Sequence, residues 1–275
     1  MLLRCGGHSL DLARPVVMGV LNVTPDSFSD GGRFLRPREA VAHGIAMTEE
    51  GAGIIDVGGA STRPGAVDVA PEEELRRVLP VLEGLAGRVD AVLSIDTSRP
   101  EVIRAACAAG AGFVNDIRAL RLPGALEAAA ESGVAVGLMH MQGEPRTMQL
   151  EPRYREVVTE IRDFLAGRLQ ACASAGIAAD RVVIDPGFGF GKSVEHNLRL
   201  LRELGVFREL GRPVLVGLSR KSMIGRLLGR EAGERLYGSI ALAAIAVLNG
   251  AAIVRAHDVA ATVDAVRIAA EVRGS

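Results

Sequence analysis

Residues 182–192 read VVIDPGFGFGK, and this stretch decides how the chain folds. The three residues at 182–184 are β-branched and too few for a helix, so they predict a buried parallel strand. Pro186 forces the residue before it out of helical geometry. Asp185 is therefore expected at the carboxyl end of a strand, with a glycine-rich loop directly after it.

The loop matches neither nucleotide-binding pattern that it resembles at first sight. Gly191, Lys192 and Ser193 fit the end of G-x-x-x-x-G-K-[ST], but the first glycine of that pattern would fall on Pro186. The dinucleotide pattern G-x-G-x-x-G fails because a lysine stands at position 192, where its third glycine belongs. The stretch predicts an acid at a strand end and a functional loop, without predicting a nucleotide.

Composition favours a parallel sheet covered by helices. The chain has 275 residues and is 48% hydrophobic, yet aromatic residues make up only 3% and tryptophan is absent. Its core must be built from Ala, Val, Leu and Ile, which suits buried parallel strands. The 32 basic and 33 acidic residues give a formal net charge of −1, so there is no electrostatic case for nucleic acid.

The cysteines and the apolar segments indicate a cytoplasmic protein that does not bind a membrane. Cys5, Cys107 and Cys172 are isolated from one another, which predicts reduced thiols rather than a disulfide framework. The chain starts without the long apolar run of a signal peptide, and no apolar window reaches the length of a membrane span.

Seven other apolar runs are predicted to be strands, at 16–22, 54–57, 91–96, 113–116, 134–140, 213–219 and 251–257. The helices expected between them lie at about 37–50, 71–85, 99–110, 154–175, 195–210, 234–249 and 259–272. Residues 1–15 form a preamble that is predicted to be a hairpin.

Eight strands that alternate with helices, without a linker, predict one α/β domain over residues 1–275, and a (β/α)₈ barrel closes them most simply. An open doubly wound sheet is the competing architecture. The barrel requires the active site to lie where the strands end.

Polar side chains stand at those ends, namely Asn22, Thr62, Arg63, Asp96, Asn115, His140, Asp185, Ser219, Lys221, Arg255 and His257. A single aspartate after a strand is usually a helix cap or a turn residue. The whole set is costly to bury without a polar ligand, so together the residues predict a binding rim.

This rim divides by chemistry. Asp96, Asn115 and Asp185 suit a flat heterocycle that presents several N–H donors. A second group suits phosphate oxygens or a hydrated metal that bridges them, and its members are Arg63, Arg255, His257 and Asn22. Lys221 could reach a ring carbonyl or a ring nitrogen of the heterocycle.

Apolar residues also stand in the loops of the rim. Phe28, Pro64 and Phe190 are either loop anchors or the walls of a slot for an aromatic second substrate, close to Ser219 and Ser222.

The chain resembles the dihydropteroate synthase family of pterin-binding barrels over essentially its whole length. The resemblance is carried by MGVLNVTPDSFSDGG at 18–32, DVGGASTRPG at 56–65, SIDTSRP at 94–100, VNDI at 114–117, MHMQGEPRTMQ at 139–149, IDPGFGFGK at 184–192, GLSRKS at 217–222 and VRAHD at 254–258.

The resemblance implies a transferase of folate biosynthesis and a sulfonamide target. Such an enzyme joins 6-hydroxymethyl-7,8-dihydropterin pyrophosphate to 4-aminobenzoate and releases pyrophosphate, with Mg²⁺ assisting. It implies a homodimer joined through barrel helices. An S_N1-like path fits, because the aniline nitrogen attacks as a neutral amine and the chain lacks a Ser-His-Asp or Cys-His pairing.

Carried over residue by residue, the resemblance assigns five residues to the pterin: Asp96, Asn115, Asp185, Lys221 and Arg255, of which all but Asn115 are the expected catalytic groups. It assigns the pyrophosphate to Asn22, Thr62, Arg63, Arg255 and His257, with Asn22 also on the metal. The aminobenzoate falls to Phe28, Thr62, Pro64, Phe190, Lys221 and Ser222, and loop ordering to Asp30.

The chain departs from the family at Ala60, where relatives usually carry glutamate in G-G-E-S-T-R-P-G. Two alternatives therefore stay open. One is a catalytically silent pterin-binding paralogue, for which Ala60 is the only hint. The other is a methyltetrahydrofolate–corrinoid methyltransferase, which has no use for a pyrophosphate site.

Overall fold

The chain opens with the antiparallel hairpin that the sequence predicts. Its strands are β1 (Leu2–Cys5) and β2 (His8–Asp11). A computed structural model describes residues 1–24, 37–61, 69–145 and 147–274. The three cysteines are free, as expected, and Cys5 and Cys172 are buried.

Eight parallel strands follow the hairpin. They are β3 (Val16–Asn22), β4 (Ile54–Gly58), β5 (Val92–Asp96), β6 (Phe113–Asp116), β7 (Ala135–Met139), β8 (Val182–Asp185), β9 (Leu215–Gly217) and β10 (Ile253–Ala256). Their order in the sheet is β8-β7-β6-β5-β4-β3-β10-β9.

The first and last strands of that order also meet, so the sheet is closed. Ile184 of β8 forms a parallel bridge with Val214, just before β9, and its N–H donates to the Pro213 carbonyl at 3.0 Å. Closure leaves no free sheet edge, and the (β/α)₈ barrel is confirmed over the open doubly wound sheet.

The helices of the described residues are α1 (Pro37–Glu49), α2 (Pro71–Leu85), α3 (Pro100–Ala108), α4 (Ala125–Ser132), α5 (Val157–Ser174), α6 (Val194–Arg202), α7 (Ser222–Leu228), α8 (Leu236–Leu248) and α9 (Val259–Arg273). The prediction of one helix over 195–210 is wrong. The α-helix stops at Arg202 and a 3₁₀ helix follows over Leu204–Leu210, where Gly205 lowers helix propensity. The sequence prediction contains no helix at 125–132, where α4 lies.

The barrel interior begins with an apolar layer at the amino-terminal ends of the strands. Its members are Met18, Ile54, Val92, Phe113, Ala135, Val183, Leu215 and Ile253. Leu3, Cys5 and Leu12 are buried in the same cluster, so the hairpin region closes this end of the barrel. Each fully buried leucine or isoleucine here stabilises the fold by roughly 1.5–3 kcal/mol.

The next interior layer is polar. Side chains alternate between the two faces of a strand, so residues two apart share the interior. Two positions beyond the apolar layer, five strands present Asp56, Ser94, Asn115, Asp185 and Arg255. The fold thus places a layer of polar side chains next to the apolar layer, on the side of the barrel where the loops after the strands lie.

No helix within the described ranges has both the length and the apolar character that crossing a membrane needs.

Candidate functional site

Asp56 is the hydrogen-bond centre of the polar layer. It lies on β4 and its side chain is fully buried. Oδ1 accepts a hydrogen bond from Ser94 Oγ at 2.5 Å, and Oδ2 accepts from Asn115 Nδ2 at 2.9 Å and from Arg255 Nε at 2.6 Å. One carboxylate therefore orients side chains from three other strands.

The contact with Asp56 determines which way the Asn115 amide points. Its nitrogen must face the carboxylate, because a carboxylate only accepts hydrogen bonds. The amide oxygen of Asn115 is left as an acceptor for a ligand above the polar layer.

Arg255 bridges two acids. While Nε donates to Asp56, Nη2 donates to Asp96 Oδ2 at 2.8 Å. Burial raises the pKa of Asp96 to about 7, the Arg255 cation opposes the shift, and the charge of Asp56 adds to it. Charge-assisted bonds to two carboxylates thus fix the position of the guanidinium.

Asp185 lies at the end of β8, as predicted, and its Oδ1 accepts from the Gly187 N–H at 2.7 Å. Burial raises its pKa to about 6, against the lowering effects of that N–H and of Lys221. Burial lowers the pKa of Lys221 to about 8, with help from the Arg255 cation. Burial therefore brings the pKa values of both groups towards neutral pH.

Phe190 connects this polar layer to an apolar slot. The Nζ of Lys221 lies 4.1 Å from the centre of the Phe190 ring, a cation–π contact. The ring also packs on a buried cluster whose members are Ile117, Met139, Met141 and Met148. An aromatic ligand has a ready-made apolar surface beside a cation.

His257 and Ser219 form a second polar pair, in the loops that follow β10 and β9. Ser219 Oγ accepts from the His257 backbone N–H at 3.2 Å and lies 3.1 Å from its Nδ1. Burial and the Arg255 cation lower the pKa of His257 to about 3. The ring is therefore neutral, with one nitrogen as a donor and the other as an acceptor.

Arg220 directly follows Ser219, and its backbone has a positive φ of 57°, which is uncommon for a residue with a Cβ. Its guanidinium makes two bonds to Asp258, at 3.0 and 2.5 Å, and Ser239 Oγ accepts its backbone N–H. These contacts hold the strained turn that leads from Ser219 to Lys221.

Asn22 ends β3 and borders the same gap as Asp96. A Cβ added to Gly58 would lie 3.3 Å from Asn22 Oδ1 and 3.8 Å from Asp96 Oδ2, so glycine keeps that gap open. No group of three His, Cys, Asp or Glu side chains in the described ranges could hold a metal. A lone amide oxygen fits Mg²⁺ only if substrate phosphates and waters complete its shell, which is the usual mode of that ion.

Five of the residues singled out from the sequence lie outside the described residues: Phe28, Asp30, Thr62, Arg63 and Pro64. Their assignments stay predictions. The other assigned residues are described, namely Asn22, Asp96, Asn115, Asp185, Lys221, Arg255, His257, Phe190 and Ser222. Hydrogen bonds through Asp56 join Asp96, Asn115 and Arg255, Lys221 contacts Phe190 separately, and Ser222 is exposed.

Two functional candidates were missed by sequence reasoning. The sequence pattern places Asp56 inside an apolar strand without marking it as functional, although it stands two residues after Ile54 and so shares the interior face. Lys192 was considered only as part of a failed phosphate motif, yet it is buried against His140. Period-two alternation along β4 was the signal that could have found Asp56.

A closed (β/α)₈ barrel with buried carboxylates, an amide and cations at its strand ends is a ligand-binding barrel suited to a polar heterocycle. The sequence profile of the family described as pterin binding enzyme matches residues 18–257. The chain belongs to this pterin-binding enzyme family.

Its relatives are dihydropteroate synthases. The enzyme of Escherichia coli K12 is 54% identical over 268 residues, which cover 98% of this chain and 95% of that protein. The Yersinia pestis dihydropteroate synthase in a sulfonamide drug complex has a TM-score of 0.96, with 50% identity and full coverage of both chains. The Xanthomonas albilineans dihydropteroate synthase with 4-aminobenzoic acid has a TM-score of 0.93, with 53% identity, and the match covers 100% of this chain and 98% of that one.

Proposed function

We propose that the chain condenses 6-hydroxymethyl-7,8-dihydropterin pyrophosphate with 4-aminobenzoate to give 7,8-dihydropteroate and pyrophosphate. The observation that carries the proposal is Arg255, held by Asp56 and Asp96 beside Asn115 in a buried polar layer. The identity to dihydropteroate synthases over nearly the whole chain supports the same reaction.

The pterin ring fits the polar layer. Its N–H and amino donors meet the carboxylates of Asp96 and Asp185 and the amide oxygen of Asn115, while Lys221 donates to a ring acceptor. Arg255, fixed by the two carboxylates, would stack on the face of the ring. A ligand that hydrogen-bonds to these buried polar groups offsets the cost of burying them.

The leaving pyrophosphate fits the cationic side of the rim. Arg255 and the ring N–H of His257 donate to its oxygens, and Thr62 and Arg63 are proposed to add to them. Asn22 would hold Mg²⁺ together with the pyrophosphate, and the ion would supply positive charge to the leaving group when bound.

The reaction is an exchange of a C–O bond for a C–N bond. The bond between the pterin methylene and pyrophosphate breaks, and its electron pair leaves with the phosphate oxygen. Asp96 and Asp185 stabilise the developing cation on the pterin. The aniline nitrogen then donates its lone pair to the methylene carbon and loses a proton, so an S_N1-like path needs no protein nucleophile.

The aminobenzoate is proposed to dock on the apolar slot. The Phe190 ring and the Lys221 ammonium form one wall, Ser222 begins α7 beside them, and Phe28, Thr62 and Pro64 are proposed to complete the pocket. The carboxylate of the substrate would lie towards Lys221 and Ser222.

The test is pyrophosphate release by the purified protein with dihydropterin pyrophosphate and Mg²⁺, with and without 4-aminobenzoate. Chromatography for dihydropteroate runs in parallel, and Arg255→Met serves as the inactive control. Release coupled to dihydropteroate formation supports the proposal, and release or product that is the same in the Arg255 variant contradicts it.

Ala60 favours one alternative, a silent paralogue that binds pterin without turnover. The residue precedes the second loop, where Arg77 Nη1 donates to the Gly59 carbonyl at 2.8 Å and anchors the loop's start. Tight pterin binding without product, restored to turnover by Ala60→Glu, would establish the alternative.

We propose that the protein forms a homodimer through α8 and α9. These helices pack on each other and carry large exposed apolar side chains, namely Tyr237, Ile245, Leu248, Ile268 and Val272. Light scattering should give twice the chain mass, and Ile268→Asp should give a monomer. A monomeric wild-type protein would exclude the dimer. The cytoplasmic location expected from the sequence stays a prediction.

A further inference from the structure

Lys192 is a buried cation that the proposed chemistry does not use. It is the last residue of the stretch VVIDPGFGFGK and is only 3% exposed. Its Nζ lies 3.1 Å from Nδ1 of His140 and donates to the carbonyls of Phe190 at 2.9 Å and of His140 at 3.4 Å. An ammonium has three N–H donors, so each of them finds an acceptor.

The pair has a definite proton arrangement. Burial and the neighbouring Lys192 cation lower the pKa of His140 to about 2, so its ring is neutral and Nδ1 accepts. Burial lowers the pKa of Lys192 to about 7, and the Asp185 carboxylate opposes that shift. The lysine therefore holds the shared proton. The other titratable groups facing the pair are Lys221 from the β9 loop, Arg121, Tyr154 and His196.

The loops after β7 and β8 touch backbone to backbone around this pair. A Cβ at Gly187 would lie 1.9 Å from the His140 carbonyl oxygen, and one at Gly191 would lie 2.5 Å from that of Gln142. The His140 ring packs edge-on against Phe164, with 4.9 Å between ring centres, so the acceptor is itself held in place.

Phe190 is the residue through which this arrangement reaches the site. Lys192 donates a hydrogen bond to the Phe190 carbonyl, and the Phe190 ring lies 4.1 Å from Lys221 Nζ. The loop is further tied by Asn197, whose Oδ1 accepts the Gly189 N–H at 2.8 Å. Loss of the Lys192 contact would free Phe190, whereas the hydrogen bond that Asp185 accepts comes from the Gly187 N–H and does not involve Lys192.

We propose that Lys192, acting with His140, is a positioning residue for the second substrate, because it ties the two loops together and holds Phe190 over Lys221. The inference rests on the proposed function, since it assigns Phe190 to the aminobenzoate slot. It predicts a defect confined to one of the two substrates.

The experiment compares steady-state constants of the full chain and of Lys192→Met, which keeps an unbranched side chain one atom shorter and removes the donors. The KM for 4-aminobenzoate should rise about tenfold or more, while the directly measured Kd for dihydropterin pyrophosphate stays within about twofold. Lys192→Arg, which keeps a charged donor, should recover part of the loss.

Ser193→Ala is the matched control for stability. It removes the side chain that caps α6 by accepting the His196 N–H, one residue from Lys192 and without touching Phe190. It should lower the melting temperature and leave both substrate constants within about twofold.

If Lys192→Met fails to fold, His140→Phe serves instead, because it removes the Nδ1 acceptor and keeps an aromatic ring against Phe164. It should raise the KM for 4-aminobenzoate about threefold, again without weakening pterin binding. Equal losses for both substrates, or lower stability with unchanged constants, would overturn the inference. A folded wild-type protein that makes no dihydropteroate would instead refute the proposed function.

Discussion

Replacing Asp56 should separate the charge of this buried carboxylate from its geometry. In Asp56→Ala, Asn115 Nδ2, Arg255 Nε and Ser94 Oγ all lose their shared acceptor. In Asp56→Asn, the amide can turn its oxygen towards Asn115 and Arg255 and its nitrogen towards the serine hydroxyl. The alanine variant removes geometry and charge, and the asparagine variant removes charge alone.

The expected cost follows from the contacts. A buried donor without a partner costs about 1–3 kcal/mol. The serine hydroxyl can rotate, and Arg255 keeps its bond to Asp96 and is 22% exposed. We therefore expect Asp56→Ala to lower the free energy of unfolding by about 2–5 kcal/mol and Asp56→Asn by about 1 kcal/mol.

The same variants should weaken pterin binding, Asp56→Ala more than Asp56→Asn. Asp56→Ala releases both Asn115 and Arg255 from their fixed orientations, and each is proposed to contact the pterin. Loss of one neutral and one charged hydrogen bond amounts to about 2–3 kcal/mol, or roughly 30- to 150-fold in Kd.

Urea denaturation followed by circular dichroism gives the stability, and titration calorimetry with dihydropterin pyrophosphate gives the Kd. Ser94→Ala is the control, because Ser94 binds Oδ1 of Asp56 while Asn115 and Arg255 both bind Oδ2. It should cost about 1 kcal/mol of stability and change the Kd by less than about threefold.

Wild-type pterin affinity in Asp56→Ala would refute this account of the polar layer. Ser94→Ala with the same loss of affinity would refute it too, because the effect would then follow from stability rather than from orientation.

Three further predictions concern Asp185, Lys221 and Gly187. Pterin affinity should fall below about pH 7 as Asp96 and Asp185, whose pKa values burial raises to about 7 and about 6, take up protons, and Asp185→Asn should remove the part of this acid limb below about pH 6 in calorimetric titrations. Affinity should also fall above about pH 8 as Lys221 loses its proton, and Lys221→Met should weaken binding at every pH while removing that alkaline limb. Gly187→Ala should lower the free energy of unfolding, measured by urea denaturation, by more than about 1–3 kcal/mol, because φ is +73° and the new Cβ would lie 1.9 Å from the His140 oxygen. An acid limb that is unchanged in Asp185→Asn, an alkaline limb that persists in Lys221→Met, or wild-type stability in Gly187→Ala would contradict the respective prediction; Gly211→Ala, at φ +67° with no atom near the new Cβ, controls for strain without a clash.

The same shift at Asp185 affects stability, and its sign is opposite to that of an ordinary ion-paired acid. An exposed aspartate has a pKa of about 4, so between about pH 4 and 6 the folded state binds a proton that the unfolded state releases. This group stabilises the fold fully below about pH 4, and its contribution is lost as the pH rises through 6. Asp185→Asn should flatten the stability profile over that interval.

The sequence by itself determined the barrel and most of its rim. Each short β-branched run had to be a buried strand, and a polar residue at its end had to lie on the loop side of the barrel. Asp96, Asn115, Asp185 and Arg255 were found in this way, because their position relative to a strand end is a local property of the chain.

Only the tertiary structure decided what those residues contact. Asp56 and Arg255 are 199 positions apart, and they meet because β4, β3 and β10 are neighbours in a closed sheet whose stagger places them in one layer. Lys192 stands in a conspicuous motif, yet the packing of two loops turned it away from the substrate rim and onto His140. Strand periodicity is written in neighbouring residues, whereas the partner of a buried charge depends on closure of the whole barrel.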